Sequence, residues 1–385
     1  MRKKRVIVVI SVVSTIILAL LIFLAAVLAP SSLGVEQGEL DYAYGRVLAD
    51  IDGITDVNPR YIDLAFLGSH DSFSYLLEKN GRVEEGVSPA MTKLMPLIGN
   101  YAYRFGITQT VGIFEQLMQG ARFLQIKVTF FENEWYASHT VLSGKIETHI
   151  IEILRYLSLE ESKGETVGIL FQPIYMGNRS FGDLREYIAS IRYDGKNIYD
   201  YVHYDNADEF NDGNGLSVSD IRYNDITCRG REAGVVLFER RDEHHSEAWD
   251  IDLHKYPYYY DLDKNALHVW HQSSNTKKLE KRIEDTYIMI NSTDEYENML
   301  RINQTQACLS VKSAADLGSD ITAGSLLKIA KTHNLKLIER EDFFDMLRAM
   351  PVFQVDYLTS TDENFNARVN ALIREYNESL MTANK

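Results

Sequence analysis

Eight short apolar segments recur along the chain, and several of the intervals between them show helical spacing of apolar residues. This alternation constrains the fold more than any other feature, because buried strands joined through helices favour parallel pairing with crossover connections. It predicts an α/β fold, a (β/α)₈ barrel of the TIM type that need not be regular, with an open doubly wound sheet as the alternative. The candidate strands span residues 62–68, 122–130, 135–139, 166–174, 234–240, 266–272, 307–313 and 335–339. The candidate helices span residues 145–157, 180–191, 277–290, 323–334 and about 362–380.

The N-terminus differs in pattern from the rest of the chain. Residues 1–5 carry four basic side chains, and residues 6–29 form an uncharged apolar run. This run approaches the ~20 residues that a membrane-spanning helix needs, and the preceding charges favour a cytoplasmic N-terminus with an exported body. We predict a basic cytoplasmic segment (1–5), a transmembrane anchor (6–29), a stalk (30–50) and an extracytoplasmic barrel (51–385). The alternative is a signal peptide cleaved near its end, which would make the protein secreted.

Composition narrows the classes of partner. With 385 residues, 45% of them hydrophobic, the chain is long enough to bury a large core, and we expect a monomer. Its net charge of −15 excludes a nucleic-acid partner, because no basic stripe is available to neutralise phosphates. Cys228 and Cys308 are the only cysteines and form no zinc signature; the sequence leaves open whether they pair.

Polar side chains lie at or just beyond the ends of the candidate strands, where barrel enzymes keep their active sites. The first such position is the stretch LGSHDSFSY (67–75), in which an apolar strand ends in Gly-Ser and is followed by His70 and Asp71. Gln125 and Lys127 are two residues apart in one strand, so their side chains face the same side. The other candidates are His139, Gln172, Arg240, His271, Gln272, Glu339 and Asp342.

Two histidines and a cation at one barrel mouth are suited to phosphodiester cleavage. One imidazole takes a proton from an attacking hydroxyl, the other protonates the departing oxygen, and the cation stabilises charge on phosphorus. Each assignment has a plainer alternative. His70 is also consistent with a solvated turn, and Arg240, between Glu239 and Arg241, with a surface ion pair. Gln125 serves either as a hydrogen-bond partner of Lys127 or as a substrate contact.

Four stretches of the sequence resemble one family. They are LAFLGSHDSFSY, GITQTVGIFEQLMQGARFLQIKVTFFENEWYASH, ETVGILFQP and, more weakly, GVVLFER. In this order they are similar to the strand motifs of bacterial phosphatidylinositol-specific phospholipases C, the X-domain phosphodiesterases. The resemblance covers roughly residues 55 to 345 and is strongest from 60 to 172.

The resemblance implies a set of catalytic roles. His70 matches the general base that deprotonates the inositol 2-hydroxyl, and His139 matches the general acid that protonates the diacylglycerol oxygen. Asp71 matches the carboxylate beside the base. The implied products are a cyclic inositol phosphate and diacylglycerol.

The departures from the family pattern are equally informative. Gln125 stands where the family has a carboxylate, and Lys127 stands where bacterial enzymes have arginine and eukaryotic ones a calcium ligand. An ammonium there would repel calcium, so we expect no metal cofactor. Gln172 replaces a headgroup-binding lysine, Arg240 matches a retained arginine, and Gln272 lies near the headgroup positions. For the orienting carboxylate after the last strand, Asp342 is preferred to Glu339 because an aromatic residue follows it.

Three hypotheses follow for function. The preferred one is a membrane-tethered phosphodiesterase that cleaves phosphatidylinositol or a glycosylated relative without a metal. The second is a weakened or inactive relative that binds phosphorylated headgroups. The third is a barrel phosphodiesterase acting on another diester, which would need a carboxylate-rich metal site.

Overall fold

Ten strands form one sheet in this computed structural model, which describes residues 42–78, 81–204, 217–240, 259–308, 325–362 and 364–383. The strands are β1 (Phe66–Ser69), β2 (Ala121–Phe131), β3 (Glu134–His139), β4 (Val141–Lys145), β5 (Thr166–Tyr175), β6 (Gly234–Glu239), β7 (Tyr259–Asp261), β8 (Ala266–Trp270), β9 (Leu300–Gln304) and β10 (Val352–Val355). Eight of them are parallel and lie in the order β7-β6-β5-β2-β1-β10-β9-β8. β3 and β4 form an antiparallel extension on β2.

The parallel strands follow one another around a curled sheet in their order along the chain. From β1, the path runs through β2, β5, β6 and β7 in one direction, and through β10, β9 and β8 in the other. This is the strand order of a (β/α)₈ barrel, as the sequence predicts. Within the described residues no strand pairing joins β7 to β8, so the sheet is open at that point.

Helices lie between the strands along the chain. They are α1 (Ile54–Val57), α2 (Pro89–Gly106), α3 (Ile113–Met118), α4 (Ile146–Leu157), α5 (Phe181–Ser190), α6 (Tyr223–Thr227), α7 (Leu262–Asn265), α8 (Thr276–Asn291), α9 (Leu326–Ile338), α10 (Phe343–Ala349) and α11 (Phe365–Ala383). The five predicted helices correspond to α4, α5, α8, α9 and α11. Helix α5 begins where it does because Ser180 and Asp183 form a reciprocal capping box.

Strand side chains alternate between two apolar clusters. One cluster fills the barrel interior and includes Phe66, Phe123, Leu170 and Val352. The other lies between the sheet and the surrounding helices, and Leu67 belongs to it. Along each strand every second side chain points inward. The inward-pointing residues that come after the interior cluster therefore lie nearer the carboxyl ends of the strands.

Of the eight predicted strands, one is wrong, one is a strand outside the barrel, and one lies mostly outside the described residues. Residues 135–139 lie in β3, but this strand belongs to the antiparallel extension and not to the barrel. Residues 335–339 end helix α9, since Leu337 and Ile338 continue a three-and-four spacing that a five-residue window does not reveal. Of residues 307–313, the first two lie outside any strand and the rest outside the described part of the chain. The barrel strands that prediction missed are β7, β9 and β10.

The body of the protein includes part of the segment assigned above to the stalk. Val47 and Leu48 are buried, and the backbone N–H groups of residues 47–49 all donate to the carboxylate of buried Glu165. The predicted anchor, 6–29, lies outside the described residues. Of the helices that the structure describes, none is both long and apolar enough to cross a bilayer.

Candidate active site

A cleft of about 550 Å³ opens at the carboxyl ends of the barrel strands. Of the eleven candidate residues, nine are assigned a catalytic or binding role, and seven of these nine line the cleft; His271 and Glu339 do not line it. The seven that line it are His70, Gln125, Lys127, His139, Gln172, Arg240 and Gln272. Asp71, the eighth, is fully buried beside them. The cleft is therefore where the sequence predicts the site.

The strands deliver these side chains through their period of two. Above the apolar interior, the inward positions of β1, β2, β5, β9 and β10 carry Gly68, Gln125, Gln172, Gln304 and Gln354. The next inward positions of β1, β2 and β10 carry His70, Lys127 and Asp356. Gln125 donates to the Gln172 side-chain oxygen over 2.9 Å, and Gln354 donates to Gln125 over 3.3 Å. Amide groups thus form the floor of the cleft. Gln125 bonds to these amides, while Lys127 bonds to Asp71.

The turn after β1 is fixed by hydrogen bonds from neighbouring segments. Thr108 Oγ1 and Gln109 Nε2 donate to the backbone carbonyl of His70 over 2.9 and 3.1 Å. Ser72 exchanges hydrogen bonds with the backbone of Gln125, with distances of 3.0 and 3.1 Å. Asp71 has a φ of 41°, in the left-handed region that aspartate tolerates better than most residues. The tight turn therefore presents His70 and Asp71 side by side.

Asp71 is the centre of the charged cluster. Its Oδ2 lies 2.9 Å from Lys127 Nζ, 3.5 Å from His70 Nε2 and 3.6 Å from His139 Nε2. Burial by itself would raise the pKa of this carboxyl. His70, Lys127 and His139 outweigh that effect and lower the pKa to about 2. Asp71 is therefore an anion at neutral pH, in contact with three basic side chains.

Asp356 orients the imidazole of His70. Its Oδ1 lies 2.7 Å from His70 Nδ1, and its carboxyl is buried. Burial raises the pKa of Asp356, although His70 opposes the shift. A hydrogen bond from Nδ1–H to this carboxylate leaves Nε2 with the lone pair, on the side of Asp71 and the cleft. His70 is thus held in the tautomer that a general base needs.

His139 ends β3 and reaches the same cleft from the antiparallel extension. Burial and the charge of Lys127 lower its pKa to about 4, although Asp71 acts in the opposite direction. In the ligand-free protein its imidazole is therefore neutral at pH 7. An anionic phosphodiester beside Lys127 and His139 would raise this pKa, because a negative neighbour favours the protonated ring.

Solved structures of bacterial enzymes resemble this arrangement of strands. A phosphatidylinositol-specific phospholipase C from Listeria monocytogenes aligns with a TM-score of 0.50 and 16% identity, over 84% of this chain and 98% of that one. A pentafluoro-phenylalanine variant of the Staphylococcus aureus phospholipase aligns with a TM-score of 0.56 and 14% identity, over 88% and 99%. A structure from work on membrane binding by the S. aureus phospholipase has a TM-score of 0.53 and 14% identity, over 87% and 99%.

The chain has the fold of the bacterial phosphatidylinositol-specific phospholipases C. At these identities the likeness concerns the fold, and it agrees with the resemblance found in the sequence motifs. No protein-family model and no curated protein matches the sequence.

One predicted site residue lies away from the centre of this phospholipase C fold. Asp342 precedes helix α10, where it pairs with Arg340 over 2.7 Å and accepts a hydrogen bond from Tyr287. The hydrogen bonds from Arg340 lower its pKa to about 2. Residues 335–338 are helical, so Asp342 does not follow a strand, contrary to the expectation on which its assignment rests. The carboxylate after the last strand is Asp356, which is also followed by an aromatic residue, Tyr357.

Among the cleft residues that sequence reasoning missed are two side chains of β8. His268 points into the cleft from β8 and contacts the Gln304 side chain. Burial and the charge of Arg240 lower the pKa of His268 to about 3, so this ring is neutral. Trp270, two residues further along the same strand, is half exposed at the rim. The alternation of His268, Trp270 and Gln272 in the predicted strand 266–272 was the available signal.

The remaining predicted groups lie toward the cleft entrance. Arg240 is partly exposed, and its Nε lies 3.9 Å from an Asp263 oxygen, so it both lines the cleft and forms an exposed ion pair. Cys308 lines the cleft as well, whereas Cys228 follows α6, ahead of β6 at the opposite end of the strands. The two cysteines form no disulfide. In the described part of the chain no group of three or more His, Cys, Asp or Glu side chains is arranged to hold a metal.

Proposed function

We propose that the protein is a phosphodiesterase of the phosphatidylinositol-specific phospholipase C family that cleaves a phospholipid headgroup by general acid–base catalysis. One observation carries the proposal: His70, Lys127 and His139 converge on the single carboxylate of Asp71 at the mouth of this fold. The substrate class is phosphatidylinositol or a relative, because a neighbouring hydroxyl is needed as the nucleophile.

The first step is proton removal by His70. Its Nε2 takes the proton from the headgroup hydroxyl next to the phosphate, and that oxygen attacks phosphorus. Asp356 supports this step by holding Nδ1–H, which stabilises the imidazolium that forms. Lys127 supplies positive charge where the phosphoryl oxygens gain negative charge in the transition state.

The second proton is transferred at the leaving group. His139, protonated in the presence of the bound anion, gives its proton to the diacylglycerol oxygen as the P–O bond breaks. Asp71 stabilises that protonated ring and compensates part of the charge on Lys127. The products are a cyclic phosphodiester of the headgroup and diacylglycerol.

The proposed mechanism uses no metal. Lys127 places an ammonium within the charged cluster, and the neighbouring inward position is the neutral amide of Gln125. Calcium requires several anionic oxygen ligands, which this pair does not provide. We further propose that segment 6–29 anchors the enzyme in a membrane with the barrel outside the cytoplasm, near its lipid substrate.

A direct assay tests the function. Phosphatidylinositol vesicles are incubated in EDTA with the protein and with its H70A and H139A variants, and cyclic inositol phosphate is followed by phosphorus NMR. We expect product from the wild type and a loss of at least 100-fold in each variant. Equal rates for the wild type and H70A would refute the proposal. Product that requires added calcium would refute metal independence alone.

A further inference from the structure

The general acid of the proposed mechanism lies at the tip of an unusually tight hairpin. His139 ends β3 and pairs with Val141, the first residue of β4, so a single residue connects the two strands. That residue, Thr140, has a φ of 69°. A β-branched residue in the left-handed region is strained, and such a conformation persists only where surrounding contacts hold it.

Glu84 contacts the residues on both sides of His139. Its backbone N–H donates to the carbonyl of Thr140 over 3.1 Å, and its carboxylate accepts a hydrogen bond from Ser138 Oγ. Ser138 is fully buried and Glu84 is only 6% exposed. The segment around Glu84 continues along the hairpin, with a bridge between Val83 and Val141. Glu84 therefore anchors the backbone before and after the catalytic imidazole.

A buried carboxyl at this position is costly unless its partners compensate. Burial raises the pKa of Glu84, while the hydrogen bond from Ser138 and the charge of Lys127 act in the opposite direction. An apolar side chain would fill the same space without that cost, but it would not accept the directed bond from Ser138. Glu85, next to Glu84 in the chain, is exposed, so the E85A variant serves as the control for E84A.

We infer that Glu84 is a positioning residue for His139. It sets the direction of the hairpin tip, so that the imidazole Nε2 stays 3.6 Å from Asp71 and faces the leaving group. The inference rests on the proposed function, since it assigns His139 the role of general acid. Its tests separate the two claims.

The first test varies the leaving group. Phosphatidylinositol loses an alkoxide that needs a proton, whereas the 4-nitrophenyl ester of inositol phosphate loses a stable phenolate that does not. We expect E84A to lower kcat on phosphatidylinositol about 10-fold or more with KM within twofold, and to change the nitrophenyl rate less than threefold. H139A should show the same selectivity more strongly. E84Q should retain most activity because its amide oxygen still accepts from Ser138, and S138A should resemble E84A.

Two outcomes of this test are decisive. If H139A is selective for the lipid substrate and E84A matches the E85A control, the inference about Glu84 is overturned. Equal losses on both substrates for E84A, together with a lower melting temperature, would indicate a purely structural role and overturn it as well. If H139A itself lacks selectivity, the acid assignment fails, and the second test judges Glu84.

The second test needs no activity. Histidine resonances are followed by NMR as a function of pH, with the His139 signal assigned from its absence in H139A. The His139 side chain is 34% exposed, and loosening the hairpin tip would expose more of it and move it away from Lys127, so we expect its pKa to rise in E84A toward the ordinary value of ~6.5. In E84Q and E85A it should stay where it is in the wild type. An unchanged His139 titration in E84A would contradict the inference.

Discussion

Lys127 both pairs with Asp71 and presents its positive charge to the cleft. It donates to Asp71 over 2.9 Å, and its side chain is 14% exposed to the cleft. The pair therefore places a fixed ammonium at the surface that a phosphate would contact. Lysine offers a compact point charge, whereas arginine would bind a phosphate with two parallel hydrogen bonds.

Replacing this charge should remove transition-state stabilisation. We expect K127M to lower kcat on phosphatidylinositol by on the order of 10²–10³-fold, the range seen when one electrostatic contact to a transition state is lost. K127R keeps the charge and should remain within about tenfold of the wild type. Steady-state kinetics of the two variants check this. Similar activity in K127M and the wild type would exclude Lys127 from the mechanism.

A second prediction compares Asp356 with Asp342, two carboxylates that differ in whether they contact His70. Only Asp356 contacts His70, whereas Asp342 is paired with Arg340 outside the cleft. We expect D356N to lower kcat on the order of 10²–10⁴-fold, because the amide stabilises the wrong tautomer and cannot support the imidazolium. D342N should leave kcat within twofold. Steady-state kinetics of both variants test this prediction. A larger loss of kcat in D342N than in D356N would assign the orienting role to Asp342 instead.

At the level of elements, β1 shows how a strand can carry both core and site. Phe66 joins the interior cluster, and His70 reaches the cleft four residues later. The inward position between them is Gly68, where an added Cβ would lie 3.1 Å from both Cα and Cβ of Gln354. The missing side chain lets β10 approach closely, and this brings Gln354 into the amide floor.

Because β10 approaches Gly68 so closely, we expect that even the methyl group of alanine at this position destabilises the protein. In G68A the added methyl group would push the backbone of β10 outward, so we expect the free energy of unfolding to fall by about 1–3 kcal/mol. G45A is the control, since the added methyl there meets only the flexible end of Met118. Urea denaturation followed by circular dichroism measures both. A G68A variant as stable as G45A would show that β10 yields without strain.

For the whole molecule, buried histidines predict sensitivity to acid. Burial lowers the pKa values of His149 and His333, both at most 1% exposed, to about 4. In the unfolded chain they titrate near 6.5, so between pH 6.5 and 4 the unfolded state binds more protons. The free energy of unfolding therefore falls as the pH is lowered through this window. The raised pKa values of Glu84 and Asp356 act in the opposite direction at its acidic end.

A variant isolates the histidine contribution. His333 is 1% exposed, and its Nε2 lies 2.9 Å from the Thr305 carbonyl, a hydrogen bond that a glutamine amide can also donate. We expect the melting temperature of the wild type to fall by at least ~5 °C between pH 7 and pH 5, and H333Q to show a smaller fall. Thermal denaturation at the two pH values measures this. Parallel curves for the two proteins would contradict the prediction.

The features of this protein that depend on local pattern can be predicted from the sequence. Apolar alternation located β1, β2, β5, β6 and β8, and it also predicted the barrel class. The residues directly beyond or within those strands, such as His70 and Lys127, were predicted for the site and do line the cleft. A strand's period of two depends only on its backbone, so it can be read without knowing what the strand pairs with.

Other features depend on pairing between segments that are far apart in the sequence, and these are visible only in the folded protein. His70 and Asp356 are 286 residues apart in sequence, and only the β1–β10 pairing joins them. β10 is four residues long, too short for periodicity to distinguish it from a loop, so the sequence pattern points to Asp342 as the orienting carboxylate instead of Asp356. The position of His139 likewise depends on an antiparallel hairpin outside the barrel. Such contacts arise from burial and hydrogen bonding between segments that a local pattern cannot relate to one another.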